Sequence, residues 1–256
     1  MAPTPGTRDD QLADLDLPVL CYHRVVPKTQ AQASSTIHVT CAALDRQLRQ
    51  LRRRGMTPVT FADLVGAGAL PKRPVMLTFD DGYRDNHEHL LPLLEKHDAR
   101  AVVFALGDRK LTSNHWDRAT DMPQATLMND AELKACVASG RIEIGSHGLT
   151  HRRLRDLDDA ALDEELRASK TNLEALSGQT VLTFAYPWGE WRERERAAVA
   201  RAGYRFAVAT DHGRSFSEDR LAISRRIMFP HTTSFGFYKK TSRWYPAYRR
   251  LFGRTA

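Results

Sequence analysis

Leu77-Thr78-Phe79-Asp80-Asp81-Gly82-Tyr83 carries an apolar run, Val75-Met76-Leu77, into two adjacent carboxylates and a glycine. The pattern reads as a buried strand that ends in a turn, with Asp80 and Asp81 at its C-terminal mouth. Neighbouring side chains on a strand point to opposite sides, so one carboxylate can face a metal and the other a reacting water. Two unpaired carboxylates at a strand end are costly unless positive charge lies beside them. The best source of a partner is His147-Gly148-Leu149-Thr150-His151, the one pair of histidines spaced four apart among the ten.

Outward from this strand the chain alternates apolar runs with helical periodicity. Strands are expected at Pro18–His23, Val59–Phe61, Pro74–Phe79, Ala101–Leu106, Ile142–Ser146, Val181–Ala185, Phe206–Thr210 and Leu221–Met228. Helices are expected over Ala43–Arg54, Phe61–Ala67, His89–His97, Asn129–Ser139, Asp158–Leu176 and Glu193–Arg201. Asn129 with Glu132 has capping-box spacing, and Gly55, Gly140, Gly178 and Gly203 stand where helices should stop. Residues 108–128 show little periodicity and read as a long insertion. Alternating strands and helices imply parallel strands joined by right-handed crossovers, hence an α/β fold. In such folds chemistry collects at the C-terminal ends of strands. His23, Asp80, Asp81, His147, Tyr186 and Asp211 all fall at or just past an expected strand end.

At 256 residues the chain suits one large domain. Cys21, Cys41 and Cys136 are widely spaced and form neither a C-x-x-C motif nor a disulfide framework, which points to a reducing compartment. Residues 1–16 read as a flexible arm without the apolar core of a signal peptide, and no run approaches the roughly 18 apolar residues of a membrane span. The expectation is a cytoplasmic protein, with peripheral contact at the inner membrane as an option. The net charge of +7 fits attraction to anionic substrates or lipid, and nucleic acid is not expected as a partner.

Two imidazoles and one carboxylate make a three-ligand site of the catalytic-zinc kind, assigned to Asp81, His147 and His151. A divalent ion there lowers the pKa of bound water toward ~7 and polarises a carbonyl. Asp80 is then the base. A leaving amine needs a proton, for which His23 is the first candidate and His231 the second. The backbone amide of Trp188, in the turn after Pro187, is positioned to stabilise an oxyanion. Together these parts describe hydrolysis of an amide or an ester. Zinc is the default metal; nickel, cobalt and iron accept the same donors.

Thr78-Phe79-Asp80-Asp81-Gly82-Tyr83 and Ser146-His147-Gly148-Leu149-Thr150-His151 resemble the first two motifs of the polysaccharide deacetylases, the NodB homology domain of carbohydrate esterase family 4. Ala185-Tyr186-Pro187-Trp188-Gly189 resembles the third. Leu20-Cys21-Tyr22-His23-Arg24-Val25 resembles the first strand of the branch that deacetylates poly-β-1,6-N-acetylglucosamine, which implies His23 as acid. The resemblance covers roughly residues 18–230. It implies a distorted (β/α) barrel of about seven parallel strands in a single domain, spanning residues 17–234. It also implies a divalent metal on the second aspartate and both histidines, the first aspartate as base, and removal of an N- or O-acetyl group from a sugar.

Two positions depart from the family pattern. The arginine that usually opens the third motif and pairs with the base is replaced by Ala185, so Arg225 or Arg226 is expected to serve Asp80 instead. The fourth motif is represented at best by Thr210-Asp211-His212. Without a leader, the expected substrate is a lipid-linked or nucleotide-linked N-acetyl sugar, a precursor of O-antigen or another envelope glycan, ahead of finished polysaccharide. The segment 235–256 interleaves aromatics with bases, as a lipid-interface helix does, or as a helix packed on the barrel does. An O-acetyl esterase and a non-catalytic glycan-binding module on the same scaffold are the competing readings.

Overall fold

Pro74–Phe79 forms strand β5, and all six of its residues are buried. That is the environment of a central parallel strand covered on both faces, and it accounts for the unbroken apolar run. The computed structural model of the chain describes residues 12, 15–31, 36–117, 124–210 and 213–252, with the backbone alone for 249–252. Val19–Tyr22 (β1) pairs in parallel with the whole second half of β5. On the other side of β5, Thr57–Val59 (β4) pairs with its first half and Ala101–Ala105 (β6) with its second. The sheet continues through Ile142–Ser146 (β7), Thr183–Ala185 (β8) and Phe206–Ala209 (β9), every pair parallel.

The last expected strand, Leu221–Met228, is two short strands split at Arg225. Ile223–Ser224 (β10) pairs with β9, and Arg226–Ile227 (β11) pairs with β1. These are the two ends of the nine-stranded sheet. The backbone at Arg225 therefore closes the ring covalently, its N–H bonded to Ala209 at one edge while Met228 N–H reaches Cys21 at the other. Counting β10 and β11 as one stave, seven staves circle the core and β4 lies outside the ring. The expected α/β barrel is present. A feature not expected is a small two-stranded sheet, Arg24–Val26 (β2) with His38–Thr40 (β3), which begins directly after His23.

Helices α1 (Cys41–Arg53), α2 (Phe61–Val65), α3 (Leu91–Lys96), α4 (Asp130–Ala138), α5 (Asp159–Ser177) and α6 (Glu193–Arg201) wrap the barrel. Local chemistry fixes their ends. Thr40 and Asp158 accept hydrogen bonds from Ala43 and Ala161 N–H, and Asn129 and Glu132 form the reciprocal capping box. Two C-terminal helices follow, α7 (Ser234–Lys240) and α8 (Tyr245–Phe252). Phe237 of α7 is fully buried in the main core. At the other terminus Leu12 is buried too, so the arm of residues 1–16 is tied to the barrel at that point.

Candidate active site

The strand ends at Phe79, and Asp81 has φ of 71°. The two carboxylates therefore diverge because the chain turns through the left-handed region at Asp81 and Gly82, which corrects the expectation that strand alternation separates them. His151 and Trp188 also hold positive φ, at 64° and 63°. Such strain costs of order 1–3 kcal/mol per residue and persists where surroundings over-determine the backbone. Those surroundings are visible. Met128 N–H bonds Gly82 O, and Arg84 N–H bonds Thr126 O, so the insertion pins the Asp81–Gly82 turn. Thr150 donates from both N–H and Oγ1 to Glu165 of α5, at 2.7 and 2.9 Å, which holds the His147–His151 loop. At Gly189, with φ of 73°, a Cβ would overlap Thr210, so the turn after Trp188 requires glycine.

Asp80 and Asp81 are both buried but have different partners. Asp80 takes a two-pronged ion pair from Arg225, Nη1 to Oδ1 at 2.5 Å and Nη2 to Oδ2 at 2.7 Å. Burial alone would push the Asp80 carboxyl up. The Arg225 charge and its hydrogen bonds outweigh this, with a contribution from His147, and hold it below the ordinary carboxylate value. Of the two arginines expected here, Arg225 makes the contact. Arg226 is turned away, donating to Lys240 O. Cys21 Sγ lies 3.7 Å and His23 Nε2 lies 3.9 Å from Asp80 Oδ2.

Asp81 Oδ1 lies 3.3 Å from His147 Nε2 and 3.4 Å from His151 Nε2. It is buried with no hydrogen-bond partner. The three ligand atoms sit within 4.8 Å of one another. His147 Nδ1 donates to Ala185 O at 2.8 Å, which fixes the ring with Nε2 aimed at Asp81. The ordinary tetrahedral metal–ligand lengths of about 2.0–2.1 Å put neighbouring ligand atoms about 3.3–3.4 Å apart, which is the spacing seen around Asp81. A divalent ion fits this set and would give the orphaned oxygen its partner. Burial opposes charge on Asp81, but the flanking imidazoles hold its carboxyl well below the usual range. Burial drives His151 down; at His147 the Asp80 and Asp81 carboxylates overcome burial and raise it. A second cluster, Cys21–His23–Asp80, is a poor cation site: burial raises the Cys21 thiol far above its ordinary value, and Asp80 already carries a guanidinium.

These residues line one cavity of about 210 Å³ together with Trp116, Asp117 and Trp188. His23, Asp80, Asp81, His147, His151, Trp188 and Arg225 are all brought to it. His231 is exposed and does not line it. Thr210 reaches the cavity, while Asp211 and His212 lie outside the described residues. Sequence reading passed over Trp116 and Asp117. Trp116 stacks on His151 with centroids 4.3 Å apart and planes at 19°, and Trp188 meets the same ring edge-on at 5.2 Å. Trp116 is seated by a small apolar cluster of Tyr83, Leu106, Ala125 and Leu127. The only signal for it in the sequence was a lone tryptophan between polar residues in an aperiodic stretch.

The family model for polysaccharide deacetylases matches residues 67–207, which hold Asp80, Asp81, His147, His151 and Trp188. A putative polysaccharide deacetylase from Bacillus subtilis is 24% identical over 215 residues, covering 82% of this chain and 70% of its own length. The poly-beta-1,6-N-acetyl-D-glucosamine N-deacetylase of Escherichia coli is 30% identical over 112 residues, which are 40% of this chain and 16% of that protein. The Streptococcus pyogenes deacetylase PplD, solved in complex with acetate, superposes with a TM-score of 0.73 at 23% identity, over 88% of this chain and 98% of that one. A Bacillus cereus polysaccharide deacetylase superposes at 0.72 with 24% identity, over 88% and 69%. These two likenesses establish the shared fold. With the family match running over more than half of its length, the chain belongs to the polysaccharide deacetylase family.

Proposed function

We propose that this deacetylase hydrolyses the acetamide of an N-acetylated amino sugar in a bacterial envelope polysaccharide or its precursor, with Asp80 as general base and His23 as general acid. The observation that carries this reading is the division of labour between two adjacent buried carboxylates. Asp80 is clamped and kept ionised by Arg225, and Asp81 is offered unpartnered to two imidazoles. Asp81, His147 and His151 would hold a divalent ion, zinc by default, which supplies a Lewis acid for the acetyl carbonyl and lowers the pKa of water. Asp80 takes the proton of the attacking water. Arg225 grips both of its oxygens, so the carboxylate cannot rotate away from the cavity. His23 lies across Asp80 on the same cavity and returns a proton to the leaving nitrogen. The Trp188 backbone amide is assigned to the developing oxyanion. Relatives named for poly-β-1,6-N-acetylglucosamine support an N-acetylhexosamine as the sugar.

The test is acetate release from N-acetylglucosamine oligomers and from an activated aryl acetate, by wild type and His23→Ala. An amide nitrogen leaves only when protonated, whereas an activated phenolate leaves unaided. Loss of the acid should therefore slow the amide by about 10²–10⁴-fold and the ester far less. Equal losses on both substrates would remove His23 from the acid role. An absence of acetate from every amide, with metal bound, would leave O-acetyl ester hydrolysis or glycan binding as the activity.

Trp116 is a positioning residue in this scheme. A metal-binding histidine usually fixes its ring by donating its second nitrogen. His147 does so, whereas His151 Nδ1 has no hydrogen-bond partner among the described residues and its ring is held between two tryptophans. Trp116→Ala should weaken metal affinity about 10–100-fold, read by competition with a chromogenic chelator, and Trp116→Phe should restore most of it. Unchanged affinity in the alanine variant would show that stacking is not what orients His151.

A further inference from the structure

The positive charge of the chain is not spread over it. Residues 220–256 contain nine Lys and Arg and no Asp or Glu, while the preceding residues carry the other 29 bases against all 31 acids. The net +7 thus comes wholly from the last stretch, of which Arg225 is buried against Asp80 and takes no part in any surface. Among the described residues, three of the four large apolar side chains that stand exposed are in the same stretch: Phe235 at 68%, Trp244 at 44% and Tyr238 at 42%. Isolated exposed apolar residues need no explanation, but aromatics gathered among bases do.

Packing does not account for them. The segment is fastened to the barrel by other residues: Phe237 is the buried side chain of α7, and Thr241 is buried and bonded to Arg54. Phe235 and Trp244 are left pointing outward from a helix pair that is already anchored. Lys239 lies 5.8 Å from the Phe235 ring and 4.7 Å from that of Tyr248, so cation and aromatic surface share one face.

We propose that this face docks the protein on an anionic lipid bilayer, with Phe235 and Trp244 entering the headgroup layer and the surrounding bases held at its negative surface. Aromatic side chains settle at that depth, and juxtaposed bases add electrostatic attraction. No described helix is long and apolar enough to cross a membrane, so the attachment is peripheral. The contacts also set the orientation. Arg54 follows α1 and precedes β4, Asp16, which pairs with Arg243 at 3.3 Å, precedes β1, and Arg226, bonded to Lys240, begins β11. Apart from Ile227 O, which accepts from Lys240 Nζ at the end of β11, these anchors lie where strands begin, whereas the cavity lies where strands end. The docked protein turns its cavity away from the bilayer, toward sugar that extends into the aqueous phase.

The test is independent of catalysis. The 256-residue chain, with and without chelator, is sedimented with vesicles of phosphatidylcholine alone or mixed with phosphatidylglycerol. Binding to the anionic vesicles, a blue shift in tryptophan emission and no binding to neutral vesicles are expected. Phe235→Ser with Trp244→Ser should cut partitioning about tenfold or more, and Lys239→Gln roughly fivefold. No preference for the anionic vesicles would overturn the proposal. So would a double variant that binds like wild type, or full displacement of wild type by a soluble acidic polymer, since either assigns the attraction to charge without insertion. Circular dichroism of each variant keeps unfolding from passing as lost binding.

Discussion

Asp80→Asn should abolish most turnover while the metal stays bound. The substitution keeps the shape of the side chain and an oxygen for Arg225, and it does not touch Asp81, His147 or His151. What it removes, in the mechanism proposed above, is the proton acceptor beside the attacking water, a loss of about 10²–10⁴-fold in kcat. It also removes the countercharge of a guanidinium that is fully buried, with Nε already without a partner. A buried charge left uncompensated costs roughly 3–5 kcal/mol, so the variant should be measurably less stable as well as inactive. Acetate release, metal content and denaturant unfolding on one preparation separate the two effects. Stoichiometric metal with turnover near wild type would remove Asp80 from the base role, even if stability fell as expected.

Much of this site was legible because parallel α/β sheets gather polar residues at one edge. The strand run Pro74–Phe79, the Asn129–Glu132 capping box and the helix stop at Gly178 are local patterns, and local patterns survive folding. The reason for the divergence of Asp80 from Asp81 was not legible. It depends on a left-handed residue at position 81, which tertiary hydrogen bonds to Thr126 O and from Met128 N–H help to hold. Glu165 was hidden for a related reason. It falls on the buried face of α5 beside Leu162 and Leu166, where helical periodicity leads one to expect only apolar packing, and its carboxylate instead holds the His147–His151 loop.

Position 185 shows how a departure from pattern can be absorbed. What the structure takes from Ala185 is its backbone carbonyl, which orients His147 and which any residue could supply. The missing guanidinium comes from Arg225, forty positions later in the chain. Sequence could name Arg225 or Arg226 but could not choose, because the strand expected over Leu221–Met228 would have pointed the two to opposite sides with no sign of which side was inner. The choice follows from closure of the ring: residue 225 sits between the pairing to β9 and the pairing to β1, and its side chain enters the barrel there.

Arg225→Met tests that arrangement from the other side. The buried guanidinium is replaced by an apolar chain of similar length, and Asp80 is left as a buried carboxylate without its partner, which should destabilise the fold by about 3–5 kcal/mol near neutral pH. The pH dependence should change sign. In wild type the folded pKa of Asp80 lies below its unfolded value, so its contribution to stability is complete above the ordinary carboxylate range and is lost as pH falls through the folded pKa. Without Arg225, burial becomes the leading influence and raises the folded pKa. The native state then binds the proton more tightly than the unfolded chain, and stability falls as pH rises across that interval. Asp81 and His151 titrate in both proteins, and His147 is coupled to Asp80, so the difference between the two unfolding profiles reports Asp80 together with the His147 it raises. The double variant Asp80→Asn with Arg225→Met removes both charges and should be more stable than Arg225→Met alone. If Arg225→Met unfolds at the wild-type denaturant concentration with the same dependence on pH, the pair is not what keeps Asp80 ionised, and the base must be held by another group in the cavity.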